Sequence, residues 1–281
     1  MRLIFEDVAN ELLDEQRIKK YKDWITRVQA AREKGSLGEE ENQYDKAEEL
    51  ITFYSLAPLQ KVNAAIKKQI VAQILRNAGI NVEINEVKKL AFEYCIEPPV
   101  KYLEYLRLNV KENPIAYIRK AAETSKKLEG RSHIDAFIET DSFLILFEFK
   151  FTSDIAPYTK FGVNRNQLAR VIDVGIDHAN ERNKKLIVLL CSPSKLFDNH
   201  SRFYYYKIRE YSDPNNIQFD LPWRTVDEIN HALVKVAPVS NEDVIKAVYN
   251  NVKSYLNDND LKDINEFFIE RKLISIPLLK S

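Results

Sequence analysis

The strongest constraint on the fold of this 281-residue chain is a pair of apolar segments joined by a short polar link. Residues 132–139 and 143–151 are rich in Phe, Ile and Leu, and Thr140, Asp141 and Ser142 lie between them. Short apolar runs bounded by polar residues are typical of β-strands, and a link of this length is typical of a hairpin. The pattern predicts two antiparallel strands near the middle of the chain.

Charged residues end the second of these segments. Successive side chains of a strand point to opposite faces. One face would therefore be apolar throughout and would carry Phe143, Ile145, Phe147, Phe149 and Phe151. The opposite face starts with two leucines and ends with Glu148 and Lys150. Two charged side chains at the end of such an apolar strand indicate either a functional site or an ion pair.

The pairing of the two strands decides which other residues join this face. A turn centred on the first two residues of the polar link places Asp135 opposite Leu146 and diagonal to Glu148, with His133 opposite Glu148. Diagonal neighbours on one face are close enough for longer side chains to interact. A shift of one residue would turn Asp135 to the other face, so the expected cluster depends on this register.

An aspartate, a glutamate and a lysine on one face are sufficient for a particular chemistry. Two neighbouring carboxylates repel each other unless a cation lies between them. Mg²⁺ takes oxygen ligands and is usually held by one or two carboxylates together with substrate phosphate. The cation polarises a phosphoryl oxygen and lowers the pKa of a bound water, and a nearby lysine orients that water and offsets the developing charge. We therefore expect metal-assisted phosphodiester hydrolysis.

Two simpler interpretations stay open for these residues. Lys150 and Glu148 would also form an ordinary ion pair at the end of a strand. His133 would share the metal face, where it would either assist proton transfer or form a bond with a neighbouring residue.

The order of predicted elements is helices, then strand–strand–helix–strand, then helices again. We expect a helical N-terminal region at 1–95, an α/β core at 96–192 and a helical C-terminal region at 193–281. The core continues with a helical pattern at 164–183 and an apolar run at 186–191, which is typical of a strand buried on both faces. The helices expected in the flanks span 1–34, 44–78, 195–211, 226–236, 241–256 and 261–273, with a glycine-containing linker at 35–38.

Composition excludes several classes of protein. Lys and Arg together number 42, as do Asp and Glu, so the net charge is zero and long-range attraction to nucleic acid is weak. Cys95 and Cys191 form no CxxC pair, which argues against a zinc ribbon and fits reduced thiols in the cytoplasm. The acidic N-terminus does not resemble a secretion signal. No segment approaches the roughly 20 apolar residues of a membrane span, so no membrane partner is expected.

Two common catalytic motifs are missing from the sequence. No GxxxxGK[ST] loop occurs, which argues against a built-in ATPase. No GxSxG segment occurs, which argues against a serine hydrolase.

The strand-borne acids resemble the signature of the PD-(D/E)XK nuclease superfamily, which includes many restriction endonucleases. That signature is an acid on one strand followed by (Asp/Glu)-x-Lys on the next. Asp135 matches the first acid, and Glu148-Phe149-Lys150 matches the triplet. The resemblance covers about residues 100–191. It implies a fold of the α/β (α+β) class with a mixed sheet and a restriction-endonuclease-like core. In such a core, Asp135 and Glu148 would bind Mg²⁺ (or Mn²⁺) and Lys150 would position water.

Three further residues follow from the same resemblance. Many members carry a Gln-containing motif on the next helix, and here Gln167 and Arg170 are three residues apart and share a helix face. They are expected to hold the DNA phosphate or to brace the catalytic strand. Some members add a glutamate from the helix before the sheet, and Glu104 is the best positional match as a further metal ligand. Ordinary polar helix surfaces are the alternative in both cases.

Two features depart from the pattern of the superfamily. Ile134 stands before Asp135 where the signature has proline. No clear strand precedes it after the helix expected at 114–128, although the family core normally has one there. Either that strand is short and lies near 128–132, or the sheet is reduced.

The expected function is that of a metal-dependent DNA endonuclease, with restriction or phage defence as the leading biological role. The resemblance implies products with a 5′-phosphate. DNA is the expected partner, and a homodimer or a partner protein is left open. The contrasting hypothesis is a noncatalytic interaction protein or DNA-binding protein that retains a nuclease-like scaffold.

Overall fold

A computed structural model describes residues 3–34, 48–113, 116–125, 128–151, 153–162, 164–193, 202–275 and 277–278. Within these ranges the chain has a mixed α/β architecture built on one five-stranded sheet. Its strands are β1 (Val87–Ile96), β2 (Ser132–Thr140), β3 (Phe143–Phe149), β4 (Lys185–Ser192) and β5 (Leu233–Ser240). The helices are α1 (Glu6–Leu12), α2 (Glu15–Glu33), α3 (Glu48–Leu56), α4 (Ala64–Asn77), α5 (Val100–Lys111), α6 (Ala116–Thr124), α7 (Gln167–Asn180), α8 (Phe203–Glu210), α9 (Pro214–Asp220), α10 (Val226–Ala232), α11 (Asn241–Val252) and α12 (Asp258–Glu270).

The sheet has the strand order β1-β2-β3-β4-β5 and mixes both kinds of pairing. The pairs β1–β2 and β2–β3 are antiparallel, whereas β3–β4 and β4–β5 are parallel. β3 is therefore the strand at which the pairing changes, and α7 connects it to β4. This arrangement confirms the α/β class and the mixed sheet expected from the sequence.

Hydrophobic clusters cover both faces of the sheet. One face packs against α1–α4, α11 and α12, and the other packs against α7–α10. The apolar run at 186–191 is the interior of β4, where every side chain is fully buried. Helices on both faces explain that run, since a strand covered on both sides has no polar face.

The hairpin forms as predicted, but its register differs by two residues. Phe137 pairs with Leu146, and Ile138 pairs with Ile145. The turn consists of Asp141 and Ser142, because the Thr140 hydroxyl accepts hydrogen bonds from the backbone amides that follow it. A shift of two residues keeps every side chain on its predicted face.

The strand missing from the sequence prediction is β1, which lies inside the region expected to be purely helical. It pairs with β2 over its whole length and forms one edge of the sheet. Its sequence Val-Lys-Lys-Leu-Ala-Phe-Glu-Tyr-Cys-Ile carries charges on both faces, and this mixed pattern does not alternate as a half-buried strand usually does.

The prediction of a helix at 226–236 was wrong for its last four residues. α10 ends at Ala232, and Leu233 begins β5 at the other edge of the sheet. Pro238 lies inside β5, and an edge strand tolerates proline because one side of its backbone needs no ladder hydrogen bond. The C-terminal region therefore contributes a strand as well as helices.

The three predicted regions share one sheet and one main core. β1 comes from the first region apart from its final residue, β2–β4 come from the second and β5 from the third. The larger hydrophobic cluster contains residues from Leu3 to Leu278. The linker expected at 35–38 and the first part (195–201) of the helical segment expected at 195–211 lie outside the described residues.

Two general expectations are tested in part. Cys95 and Cys191 are both free thiols. Over the described part of the chain, no helix combines the length and the hydrophobicity that crossing a bilayer requires.

The close contact between α7 and the sheet is testable at Gly175. A Cβ atom placed there would lie 2.8 Å from Leu146 Cδ1 and 3.0 Å from both Cδ atoms of Leu186. Gly175→Val is expected to lower the free energy of unfolding in urea by about 1–3 kcal/mol, because buried leucines must move. Gly130→Ala is the control, since no atom lies within 4 Å of its Cβ position, and it should change stability by less than about 0.5 kcal/mol. If Gly175→Val and Gly130→Ala change the free energy of unfolding equally, the close packing of α7 on the sheet at Gly175 is contradicted.

Candidate functional site

The predicted acids and lysine meet at the end of β3 where the strand leaves the sheet. A cavity of about 390 Å³ lies there, between the sheet, α2, α3 and the first turn of α7. In an open α/β sheet, the ends of parallel strands are the usual place for ligands. The residues that line the cavity are Arg17, Lys20, Trp24, Glu48, Glu49, Glu93, His133, Asp135, Glu148, Lys150, Gln167 and Arg170.

Asp135 and Glu148 are brought together by the pairing of β2 with β3. The register continued by one residue beyond Ala136 and Phe147 sets Asp135 directly opposite Glu148 rather than diagonal to it. Asp135 Oδ2 accepts a hydrogen bond of 2.7 Å from the backbone amide of Phe149. This bond fixes the aspartate at the end of the hairpin and keeps both carboxylates at one end of the cavity.

Glu148 is almost completely buried, with 1% of its surface exposed. Its Oε1 atom lies 2.9 Å from Lys150 Nζ and also accepts a hydrogen bond from Gln167 Nε2. Its Oε2 atom is buried and has no hydrogen-bond partner among the described residues. A buried carboxylate oxygen without a donor is costly, so this atom marks a place that suits a cation.

Lys150 follows the last residue of β3 and is held in place through its backbone. Its amide donates 2.7 Å to the carbonyl of Cys191, and its carbonyl accepts from Asn241 Nδ2 at 3.2 Å. Its ammonium group lies 2.9 Å from Glu148 and 3.4 Å from Glu48. Burial opposes the charge, but Glu148, Glu48 and Asp135 outweigh it and raise the pKa of Lys150 above its ordinary value. Lys150 is therefore protonated at neutral pH.

Glu48 is a site residue that sequence reasoning missed. It lies on α3 and accepts hydrogen bonds from the Phe151 amide at 2.9 Å and from Ser153 Oγ at 2.6 Å. The chain after β3 is thereby tied to α3, about 100 residues earlier. In the sequence it reads as one more acid in a helical segment, and no local signal distinguishes it from Glu49.

The first turn of α7 supplies both of its predicted residues to the cavity. Asn166 caps the helix by accepting from the Ala169 amide at 2.9 Å. Gln167 accepts from the Ala156 amide at 3.2 Å while it donates to Glu148, so it braces the strand. Arg170 lines the cavity, and its Nε atom is buried without a hydrogen bond in the described part of the chain.

α2 also lines the cavity. Arg17 Nη1 lies 2.5 Å from Glu93, and Lys20 Nζ lies 2.7 Å from Glu49. Trp24 lies one turn further along and lines the same cavity. The sequence predicted this segment as a helix without chemistry, because the partners of its charged residues are distant in the chain.

Glu93 of β1 is unusual in conformation and in charge. Its φ of 48° places it in the left-handed region, which costs energy for a residue with a side chain. The register of β1 and β2 sets it opposite Asp135. Burial, followed by repulsion from Glu49, raises the pKa of Glu93 to about 7, although Arg17 opposes the shift. No local sequence pattern predicts this residue as part of the site.

His133 and Glu104 have different outcomes. His133 is exposed at the rim of the cavity, with Nδ1 3.4 Å from Cys95 Sγ. Glu104 is exposed on α5 and does not line the cavity. The structure does not bring Glu104 to the acids, because α5 packs through Tyr102, Leu106 and Val110 onto a separate small cluster. The helix glutamate beside Lys150 is Glu48 instead.

The donor set fits a hard divalent cation in part. Among the described residues, no three His, Cys, Asp or Glu side chains form a ready-made metal cluster. Asp135 and Glu148 nevertheless supply two carboxylates, which is the usual number for Mg²⁺ when water and substrate complete its shell. Burial, together with the charge of Glu148, raises the pKa of Asp135 well above its ordinary value despite Lys150. A cation between the two carboxylates would relieve this repulsion.

Comparisons with known proteins give no family assignment. Models of protein families, curated proteins and solved structures were compared with the chain, and none gave a significant match.

The raised pKa of Glu93 makes stability depend on pH. The folded protein keeps this carboxyl protonated up to about pH 7, whereas the unfolded chain releases the proton near 4.5. The stabilisation is complete below pH 4.5 and is lost as the pH rises through 7. Between pH 4.5 and 8, without divalent cations, the wild type should lose about 3 kcal/mol more free energy of unfolding than Glu93→Gln. If the free energy of unfolding depends on pH in the same way in the wild type and in Glu93→Gln, the raised pKa of Glu93 is contradicted.

Mg²⁺ is expected to raise the midpoint temperature of unfolding, and more strongly at pH 8 than at pH 6. The raised pKa of Asp135 means that protons compete with the cation, and this competition weakens as the pH rises. A cation at about 100 times its Kd would add about 2.7 kcal/mol. Asp135→Asn should remove the shift, whereas Glu104→Gln should retain it. If Mg²⁺ no longer raises the midpoint temperature of unfolding of Glu104→Gln, Glu104 is a metal ligand after all.

Proposed function

We propose that this protein is a metal-dependent nuclease that hydrolyses phosphodiester bonds, with DNA as its substrate. The observation that supports this proposal most directly is the convergence of Asp135, Glu148 and Lys150 in one cavity at the end of β3. Two carboxylates and a lysine on adjacent strands also carry the resemblance to the PD-(D/E)XK superfamily. The five-stranded mixed sheet is compatible with a restriction-endonuclease-like core.

The charge of each side chain in the cavity determines the role that we assign to it. Asp135 and the unpartnered Oε2 atom of Glu148 would hold Mg²⁺ or Mn²⁺, which when bound supplies Lewis acidity and a water of lowered pKa. Lys150 stays protonated, so it orients the attacking water and offsets negative charge on the phosphate rather than accepting a proton. Gln167 keeps the Glu148 carboxylate in position through its hydrogen bond.

Arg170 is the residue of α7 that suits the substrate phosphate. Its side chain lines the cavity, and its Nε atom has no hydrogen bond within the described residues. A guanidinium group donates two parallel hydrogen bonds to a phosphate, which fixes the orientation of the group as well as its position. Arg170 therefore complements Lys150, because one residue holds the phosphate and the other acts on the water.

The biological setting is a further part of the proposal. Cleavage of DNA that leaves a 5′-phosphate would suit a role in restriction or phage defence. A homodimer or a partner protein would supply additional DNA-binding surface, since the chain as a whole has no net charge.

A noncatalytic scaffold is the second candidate, and one observation favours it. Lys150 already forms ion pairs with Glu148 and Glu48, at 2.9 and 3.4 Å. The cluster is therefore also consistent with a structural network of ion pairs that joins α3 to the sheet. Such a protein would bind no divalent cation and would cut no nucleic acid.

Cleavage should depend on both the metal and Lys150. Incubation with plasmid DNA and Mg²⁺ or Mn²⁺ is expected to give nicked or linear product, and a chelator should prevent it. Lys150→Ala should slow cleavage at least about 100-fold, the usual effect of removing a group that stabilises transition-state charge.

Lys185→Ala is the matched control for this experiment. Lys185 begins β4 at the opposite end of the same sheet, so its removal should leave cleavage unchanged. Thermal unfolding of both variants verifies that they fold. If plasmid DNA and a single-stranded DNA both stay intact with every metal, or if Lys150→Ala keeps full activity, the nuclease proposal is contradicted and the scaffold is favoured.

A further inference from the structure

The wall of the cavity formed by α2 has no role in the chemistry described above. Arg17, Lys20 and Trp24 are spaced by three and four residues, so they share one face of the helix. All three line the cavity that contains Asp135 and Glu148. Cationic and aromatic side chains that face a phosphodiesterase site have the chemistry that binds a nucleic-acid strand.

We propose that Arg17 and Lys20 bind the phosphates of a single-stranded segment of the substrate, and that Trp24 stacks on one of its bases. This inference rests on the proposed nuclease function and specifies its substrate. α2 is thereby a substrate-binding element rather than a structural flank.

The charges around the cavity explain how these two cations become free to bind phosphate. Its lining contains five carboxylates, namely Glu48, Glu49, Glu93, Asp135 and Glu148, and four cations, namely Arg17, Lys20, Lys150 and Arg170. Counted as formal charges, the lining carries one net negative charge, and one divalent cation would add two positive charges to this sum. Phosphate would then compete with Glu93 and Glu49 for the cations of α2.

The two ion pairs differ in exposure. The Lys20–Glu49 pair has side-chain exposures of 42% and 26%, whereas the Arg17–Glu93 pair has 21% and 8%. Partly exposed pairs contribute little to stability, so a phosphate replaces Glu49 on Lys20 at little cost. It replaces Glu93 on Arg17 at a greater cost, because the side chain of Glu93 is largely buried. Lys20 Nζ also lies 4.5 Å from the centre of the Trp24 ring. Tyr21 already stacks on the same ring, with ring centroids 6.1 Å apart, so a base would use the part of the ring that Lys20 leaves when it turns toward a phosphate.

The dimensions of the cavity favour one strand over two. Its volume of about 390 Å³ is in the range of pockets that hold a single small ligand. The groups that must reach the scissile phosphate are deep, with Glu148 exposed by 1% and Lys150 by 6%. A strand end or an unpaired segment can bend to bring one phosphate to these buried groups, whereas the phosphates of a stiff duplex lie along its outer surface.

The test measures binding separately from cleavage. In the Lys150→Ala background with Mg²⁺, a fluorescent single-stranded oligonucleotide is titrated at several salt concentrations. Each lost phosphate contact makes the negative slope of log K against log salt shallower by about 0.7 for single strands. At 0.1 M salt this corresponds to a roughly fivefold lower binding affinity. Lys20→Ala should show one such decrease, and Arg17→Ala with Lys20→Ala should show two. Trp24→Leu should weaken binding without changing the slope.

A matched pair of substitutions on the same helix controls for lost charge. Lys19 and Arg27 are exposed on α2 and do not line the cavity. Lys19→Ala with Arg27→Ala removes the same charge and should leave both affinity and slope unchanged. Thermal unfolding of each variant separates a lost contact from a lost fold, and Lys20→Ala alone removes a partly exposed ion pair and the contact with the Trp24 ring.

Different results overturn different statements. The inference is refuted if Lys20→Ala, and Arg17→Ala with Lys20→Ala, both bind the oligonucleotide with the wild-type affinity and salt slope while the wild-type enzyme cleaves DNA. The nuclease function would remain supported in that case. Equal affinity for the oligonucleotide and its blunt duplex would refute the single-strand assignment. Absence of both binding and cleavage for every nucleic acid would refute the nuclease function and the inference together.

Discussion

The carboxylate of Glu148 lies almost out of contact with water at the end of the central strand, and a charge in that position needs partners. Lys150 and Gln167 satisfy one of its oxygen atoms. Each partner is in turn held by a different part of the fold, Lys150 by β4 and α11 and Gln167 by the cap of α7. The geometry of the site thus follows from the need to stabilise one buried acid.

The second oxygen of Glu148 is one of several buried polar atoms without a hydrogen-bond partner among the described residues, and it belongs to a residue that lines the cavity together with Asp135. A purely structural cluster gains most when every buried polar atom has a partner. Here one oxygen of Glu148 has none within the described residues, and Asp135 lies opposite with a raised pKa. Groups with perturbed pKa values in a cavity are often functional. The same features are also those that a divalent cation would relieve, which is why the nuclease proposal takes precedence over the scaffold.

Strain and charge around β1 extend this site beyond the hairpin. Glu93 occupies a left-handed conformation and pairs with Arg17 of α2. Backbone strain of this kind is retained only where the surrounding structure enforces it. The N-terminal helices, the edge strand and the central hairpin consequently contribute charged side chains to one cavity.

Local pattern was sufficient to predict the hairpin, the run of β4, the helix of α7, and the common face of Asp135, Glu148 and Lys150. These features depend on the alternation of strands and the period of helices, which short-range sequence contains. The register was displaced by two residues, because the turn geometry depends on hydrogen bonds of Thr140 that the pattern does not show. Only the tertiary structure placed β1, β5, Glu48, Glu93 and Arg17 at or beside the same sheet. Their positions follow from packing between segments far apart in the chain, and no local periodicity encodes such contacts.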